Sequence, residues 1–271
     1  MHGYLRSTRT LLSLGLLLAG TGAGDAGPPR APADIPAVAQ RLRAERKTFT
    51  DADIIDGFLR TAFGAEYHLA GRVDRIRKYH KPVRVFIEAP GRPERRAQLA
   101  AVVADIARHI QHLDIAVTER REDASIVARL VRDRDLYRTI GAMYGSDRAR
   151  AIRTSLDPQC LSGFRKNDNF EIINSDVILT VDNGDFTFYD CAYEELLQSL
   201  GPINDTTAVP WTMFNDDVQM GFFDVYDQYI LNILYDPRIR AGMTVDEVRA
   251  LLPDVLATVR PWIAQVNGLP P

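Results

Sequence analysis

With 271 residues, of which 46% are hydrophobic and 25% charged, the chain has enough apolar material for one large core or two small ones. Its formal net charge of −3 leaves no electrostatic footprint for nucleic acid. The first apolar run, Leu11 to Leu18, is shorter than the roughly 20 residues a bilayer span takes, which argues against stable membrane insertion.

That run follows Arg6 and Arg9 and passes into the small residues Ala19 to Ala26, the succession of a signal peptide over 1–26, cleaved between about Ala23 and Ala26. The mature protein is then periplasmic or secreted. Residues 27–45, with Pro28, Pro29, Pro32 and Pro36, read as a flexible leader. The rest, 46–271, reads as a single domain with subdomains 46–201 and 202–271. Its two cysteines, Cys160 and Cys191, are expected to pair in an oxidising compartment. A thiolate nucleophile or a metal ligand is the weaker reading, since no histidine lies near either.

In chain order, Thr50 with Asp53 three residues on starts a helix running to Gly64. A solvated connection follows, carrying the basic run Arg72, Arg75, Arg77, Lys78, Lys81 and Arg84. Pro82 to Ala89 alternates as a strand with Val83, Val85 and Ile87 on one face. After a turn over 90–93, a long helix places Leu99, Val102, Val103, Ile106, Ile110 and Leu113 on one stripe. His109 and His112 ride on that helix, with a metal role ranked below plain exposure. Ile115 to Thr118 and Ala124 to Val131 are the next strands, and Asp135 to Ile152 reads as helical. Phe170 to Asp182 is β-rich. Phe222 to Tyr235 and Thr244 to Val259 read as helices, the second opened by a Thr244–Glu247 capping box. The class expected is α+β, a mixed sheet with long helices, in which a motif helix leads to a helical C-terminal part.

The motif helix is expected from Cys191 to Leu200, with Asp190 as N-cap and Gly201–Pro202 as the stop. At about 100° per residue Tyr193, Leu196, Leu197 and Leu200 share one face, and Cys191, Glu194, Glu195 and Gln198 the other. The second face reads E-E-x-x-Q-x-x-G-x-x-N from Glu194 to Asn204, the frame H-E-x-x-H-x-x-G-x-x-H with each histidine replaced. Glu195 stands where a zinc peptidase carries its base, Gly201 where it turns, and Glu194, Gln198 and Asn204 where it carries ligands. Met213, in P-W-T-M-F-N-D-D, stands where a metzincin has its Met-turn.

Together with L-Y-D-P-R-I-R-A-G-M-T from Leu234, these motifs resemble an exported bacterial family known only as a domain of unknown function and placed in the zincin-like superfamily. The resemblance covers most of the chain after residue 50. It implies a zincin-like, metzincin-like fold.

The chemistry of the frame departs from zinc. Gln198 and Asn204 offer neutral amide oxygens, and the histidines His2, His68, His80, His109 and His112 all precede the motif by about eighty residues or more. No zinc is expected. An oxygen set of Glu194, Gln198, Asn204 or Asp205, with Asp216 or Asp217, suits calcium, but a plain turn-and-cap role for these residues ranks higher. The function expected is a peptidase-like protein without its zinc site, whose cleft, formed by Glu194, Gln198, Asn204, Asp205 and Met213, binds a peptide or cell-envelope component. The alternative is a hydrolase in which Glu195 remains the catalytic base. A third reading makes Glu194, Glu195 and Gln198 the wet face of a surface helix.

Overall fold

The computed structural model describes residues 31–64, 74–89, 91, 94–155 and 159–270. The expected signal segment 1–26, most of the 90–93 turn, His2, His68 and Arg72 lie outside the described residues.

Helix α1, Pro36–Ala44, follows a 3-10 turn at Pro32–Asp34 and buries Val38 completely. Residues 32–44 thus depart from the expected flexible leader. Pro36 at the first helical position fixes φ without costing a hydrogen bond, and Val38 and Ile35 give the helix apolar anchors. Helix α2, Asp51–Ala62, opens on the Thr50–Asp53 capping box, with both reciprocal bonds formed. In the described part of the expected solvated connection, residues 74–82, Lys81 is exposed as expected, but Arg77 and Lys78 turn inward. Arg77 is buried and donates to the Ala62 carbonyl, and Lys78 Nζ donates to the carbonyls of Leu234, Asp236 and Ile239. Burial pushes the Lys78 ammonium down to about 8.

Strand β1 (Val83–Glu88) has Val83, Val85 and Ile87 inward, and α3 (Arg96–His109) buries Leu99, Val102, Val103 and Ile106. Ile110 and Leu113 are buried just past its end. Strands β2 (Ile115–Thr118) and β3 (Ile126–Val131) follow. The expected helix 135–152 is two, α4 (Leu136–Tyr144) and α5 (Ser146–Ser155), divided at Gly145, whose φ of 92° breaks the helical path. Strand β4 (Cys160–Lys166) is an element the sequence reading missed. It precedes β5 (Ile172–Thr180), α6 (Asp185–Gln198), α7 (Val225–Tyr235) and α8 (Val245–Asn267). Helix α8 runs past Val259, holding Pro253 and Pro261 within it; each proline omits one helix hydrogen bond, and the buried stripe Val248, Leu252, Val255, Leu256, Val259 and Ile263 carries the helix through both.

The five strands form one sheet in the order β2-β1-β3-β5-β4, parallel except for β4, which runs antiparallel at one edge. The molecule is a mixed α+β structure. One face of the sheet packs on α3 and α6, while α4 and α5 cover Leu161 of β4 and Ile178 of β5 on the other. The larger cluster of buried apolar side chains runs from Ile35 to Ile263. Among the described residues, no helix is long and apolar enough to cross a membrane.

Candidate functional site

The site is built on α6. The helix begins at Asp185, one turn and more before the expected start, because Gly184 at φ 97° lets the chain leave β5 and turn directly into it. Asp190 is consequently not an N-cap. It sits mid-helix, where its Oδ1 accepts the backbone N–H groups of Met220 (2.7 Å) and Gly221 (3.0 Å) from the loop ahead of α7. Burial pushes its carboxyl up to about 6, against the opposing pull of those two amides and of Arg41.

Cys191 is joined to Cys160 with a Cα–Cα distance of 5.9 Å, so the disulfide fastens α6 to the edge strand β4. About two turns along, Gln198 ties α6 to β4 again and also to the loop that follows: its Oε1 accepts Ser162 Oγ of β4 at 3.3 Å, and its Nε2 donates to Asp205 Oδ1 at 2.9 Å. Gly201 turns the chain between Gln198 and Asp205. It has φ 143°, and a Cβ there would lie 2.4 Å from the Arg77 carbonyl oxygen, so only glycine fits.

The loop from 202 to 224 then closes over the helix. Thr206 N–H donates to the Phe214 carbonyl, and the Asn215 side-chain amide donates to the Val209 carbonyl. The buried Asp227 of α7 receives Thr212 Oγ1 and the Met213 amide. This folding-back brings Asp216 to Glu194 and Asp205, and one carboxylate oxygen from each of the three lies within 4.8 Å of the other two. Glu194 is part-buried, Asp205 likewise, and Asp216 is exposed at the mouth. Burial first, and then the negative charges of Glu195, Asp205, Asp190 and Asp216, hold the Glu194 carboxyl well above the usual carboxylate range.

The expected residues therefore divide. Glu194, Gln198 and Asp205 converge. Glu195 follows in the helix and is 6% exposed. The wet-surface reading fails for Glu195 and Gln198, which are both buried. Asn204 goes elsewhere: its Nδ2 donates to the Arg60 carbonyl at 2.7 Å, bracing the loop against the end of α2. Met213 is 3% exposed within the core. The turn reading holds at Asn215, whose Oδ1 accepts the Asp217 amide, while Asp216 is left pointing its charge at the group. Ser162 was not legible from sequence, because nothing local marks the segment around it as a strand.

Chemically, this is a group of carboxylates in want of positive charge. Two oxygens bound to one calcium lie no farther apart than twice the metal–oxygen distance, about 5 Å, so Glu194, Asp205 and Asp216 are spaced to hold a hard cation or to receive an ammonium or guanidinium group. The donor set offers no imidazole, the ligand zinc sites favour. A family model described as "Protein of unknown function (DUF2927)" matches residues 51–254. No curated protein and no solved structure matches the chain.

Proposed function

Because the chain belongs to this DUF2927 family, which brings no activity with it, we propose from the site itself that the protein is a zincin-like domain without a histidine zinc site that binds a peptide or cell-envelope component. The ligand presents a basic group to the floor formed by Glu194, Gln198, Asp205 and Asp216. The observation that carries this reading is the convergence of the three carboxylates on one point beside a buried glutamine. The zincin-like fold is supported by the order of elements, a mixed sheet followed by a helix that carries the E-E-x-x-Q-x-x-G-x-x-N frame and a glycine turn. An exported, extracytoplasmic location is supported by the disulfide.

The test is binding of a fluorescent lysine hexapeptide at low ionic strength, with its fully acetylated form as control. The lysine peptide should bind and the acetylated one should not. The double change Glu194→Gln with Asp205→Asn should abolish binding while the far-UV spectrum is kept; equal binding of both peptides, or an unaffected double variant, refutes the proposal. Metal analysis of protein purified without chelator should find no stoichiometric zinc, and one tightly held zinc per chain would overturn the ligand argument. One observation favours the hydrolase alternative, the burial of Glu195 next to Glu194. Glu195→Gln separates the two readings, because it removes a base and leaves the three converging carboxylates in place.

A further inference from the structure

A second flank of α6, about 100–140° round the helix from Glu194, carries Tyr193 and Tyr189 into a cavity of about 630 Å³. Its walls come from α1, α3, α6, the start of α7 and the end of α8, with Leu42, Val102, Phe222 and Phe223 supplying apolar surface. The size lies within the roughly 300–1,000 Å³ of small-molecule sites, and the mixture of aromatic wall and few polar groups is their usual composition.

The polar groups decide what such a ligand must be. Glu45 faces Lys47 at 3.7 Å, and Asp105 is paired with Arg108 and accepts Tyr193 Oη at 3.0 Å. Gln228 and Asn267 bond to each other at 2.7 Å. Each charge at the cavity is thus already matched by its opposite, and a charged ligand would meet no complement. His109 is the exception among the polar groups. Its Nδ1 lies 2.9 Å from the Asp105 carbonyl oxygen, which can only accept, and 3.3 Å from Asp105 Oδ1, so Nδ1 is the donor. In the neutral ring that leaves Nε2 as an acceptor, and it has no hydrogen-bond partner among the described residues. Tyr193, Asp105 and the edge-on ring of Phe223, 6.0 Å away between centroids, fix the orientation of the imidazole.

We propose that this cavity binds a small, uncharged aromatic molecule through a single N–H or O–H donated to His109 Nε2. The aromatic body packs on Phe222, Phe223 and Tyr189, and the donor meets the imidazole nitrogen that faces the cavity without a hydrogen-bond partner among the described residues. The site stands apart from the acidic group and holds whether or not that group binds a basic ligand.

Indole and indene distinguish this from unspecific filling of an apolar space, since they share shape and differ in the N–H. Titrated into the purified protein with ¹⁵N-labelled histidine, indole should move the His109 Nε2 resonance saturably and bind about tenfold more tightly than indene, the worth of one such hydrogen bond. His109→Phe should remove the preference. Ala104→Trp, at an exposed position on the rim, should block both ligands without touching the core. Absence of a saturable shift with indole, equal affinity for indene, or binding that survives Ala104→Trp would each overturn the inference.

Discussion

Asp190 shows how a single carboxyl can be held in the fold at a cost. Its two amide partners fix the loop before α7, yet burial dominates and raises its pKa to about 6 from the ordinary 3.8. A raised carboxyl binds its proton more tightly in the native state, so its contribution to stability is complete below about pH 4 and is lost as the pH climbs to 6. Asp190→Asn keeps an oxygen for both amides and removes the charge. Urea unfolding should therefore find the variant more stable at pH 7.5, by at most about 3 kcal/mol, and no more stable than wild type at pH 4. Glu194 follows the same logic with more neighbours, because four other carboxylates raise its pKa in addition to burial. Glu194→Gln is expected to raise the melting temperature at pH 7.5 in the absence of ligand. The lysine hexapeptide should raise that of the wild type and leave the variant unchanged, as measured by scanning calorimetry.

At the scale of elements, the turn after α6 depends on one residue. Gly201→Ala forces a Cβ against the Arg77 carbonyl at a φ that side chains rarely adopt, so it should cost about 3 kcal/mol or more and weaken lysine-peptide binding, both read from urea midpoints and fluorescence. That glycine was legible from its spacing in the frame, as were Glu194 and Gln198 one turn apart. Helix α2 and the start of α8 were legible because their capping boxes are local chemistry, and β1 because its alternation is strict. Strand β4 was not, since Cys160–Lys166 holds Ser162 and Gly163 where alternation would need apolar side chains; it becomes a strand by pairing with β5 and by the bond from Cys160. The true start of α6 was hidden for a similar reason. Asp190 has the composition of an N-cap, but the amides it satisfies come from residues 220 and 221, some thirty positions away, and no local pattern announces them. Asn204 left the expected cleft, and of the two candidates Asp216 and Asp217 it was Asp216 that joined Glu194 and Asp205, because Asp227, farther along the chain, holds the loop over α6.

For the whole molecule, the Cys160–Cys191 bond closes a loop of about thirty residues that contains β4, β5 and the first part of α6. Replacing both cysteines by serine should lower stability by roughly 3–4 kcal/mol on the chain-entropy estimate, and dithiothreitol should have the same effect on the wild type and none on the variant. The order β2-β1-β3-β5-β4 carries a further consequence. Strand β3, ending at Val131, finds its second neighbour only in β5, which begins at Ile172 and is itself flanked by β4. A chain that emerges amino end first, from a ribosome or through a pore, therefore travels with β3 bare along one side until residue 180 is out, and the bolt that holds the completed sheet to α6 cannot be thrown before Cys191 follows. Nascent lengths ending between residues 131 and 191 should be the ones that cling to a holdase, and the grip should loosen abruptly, not gradually, as the remaining chain arrives.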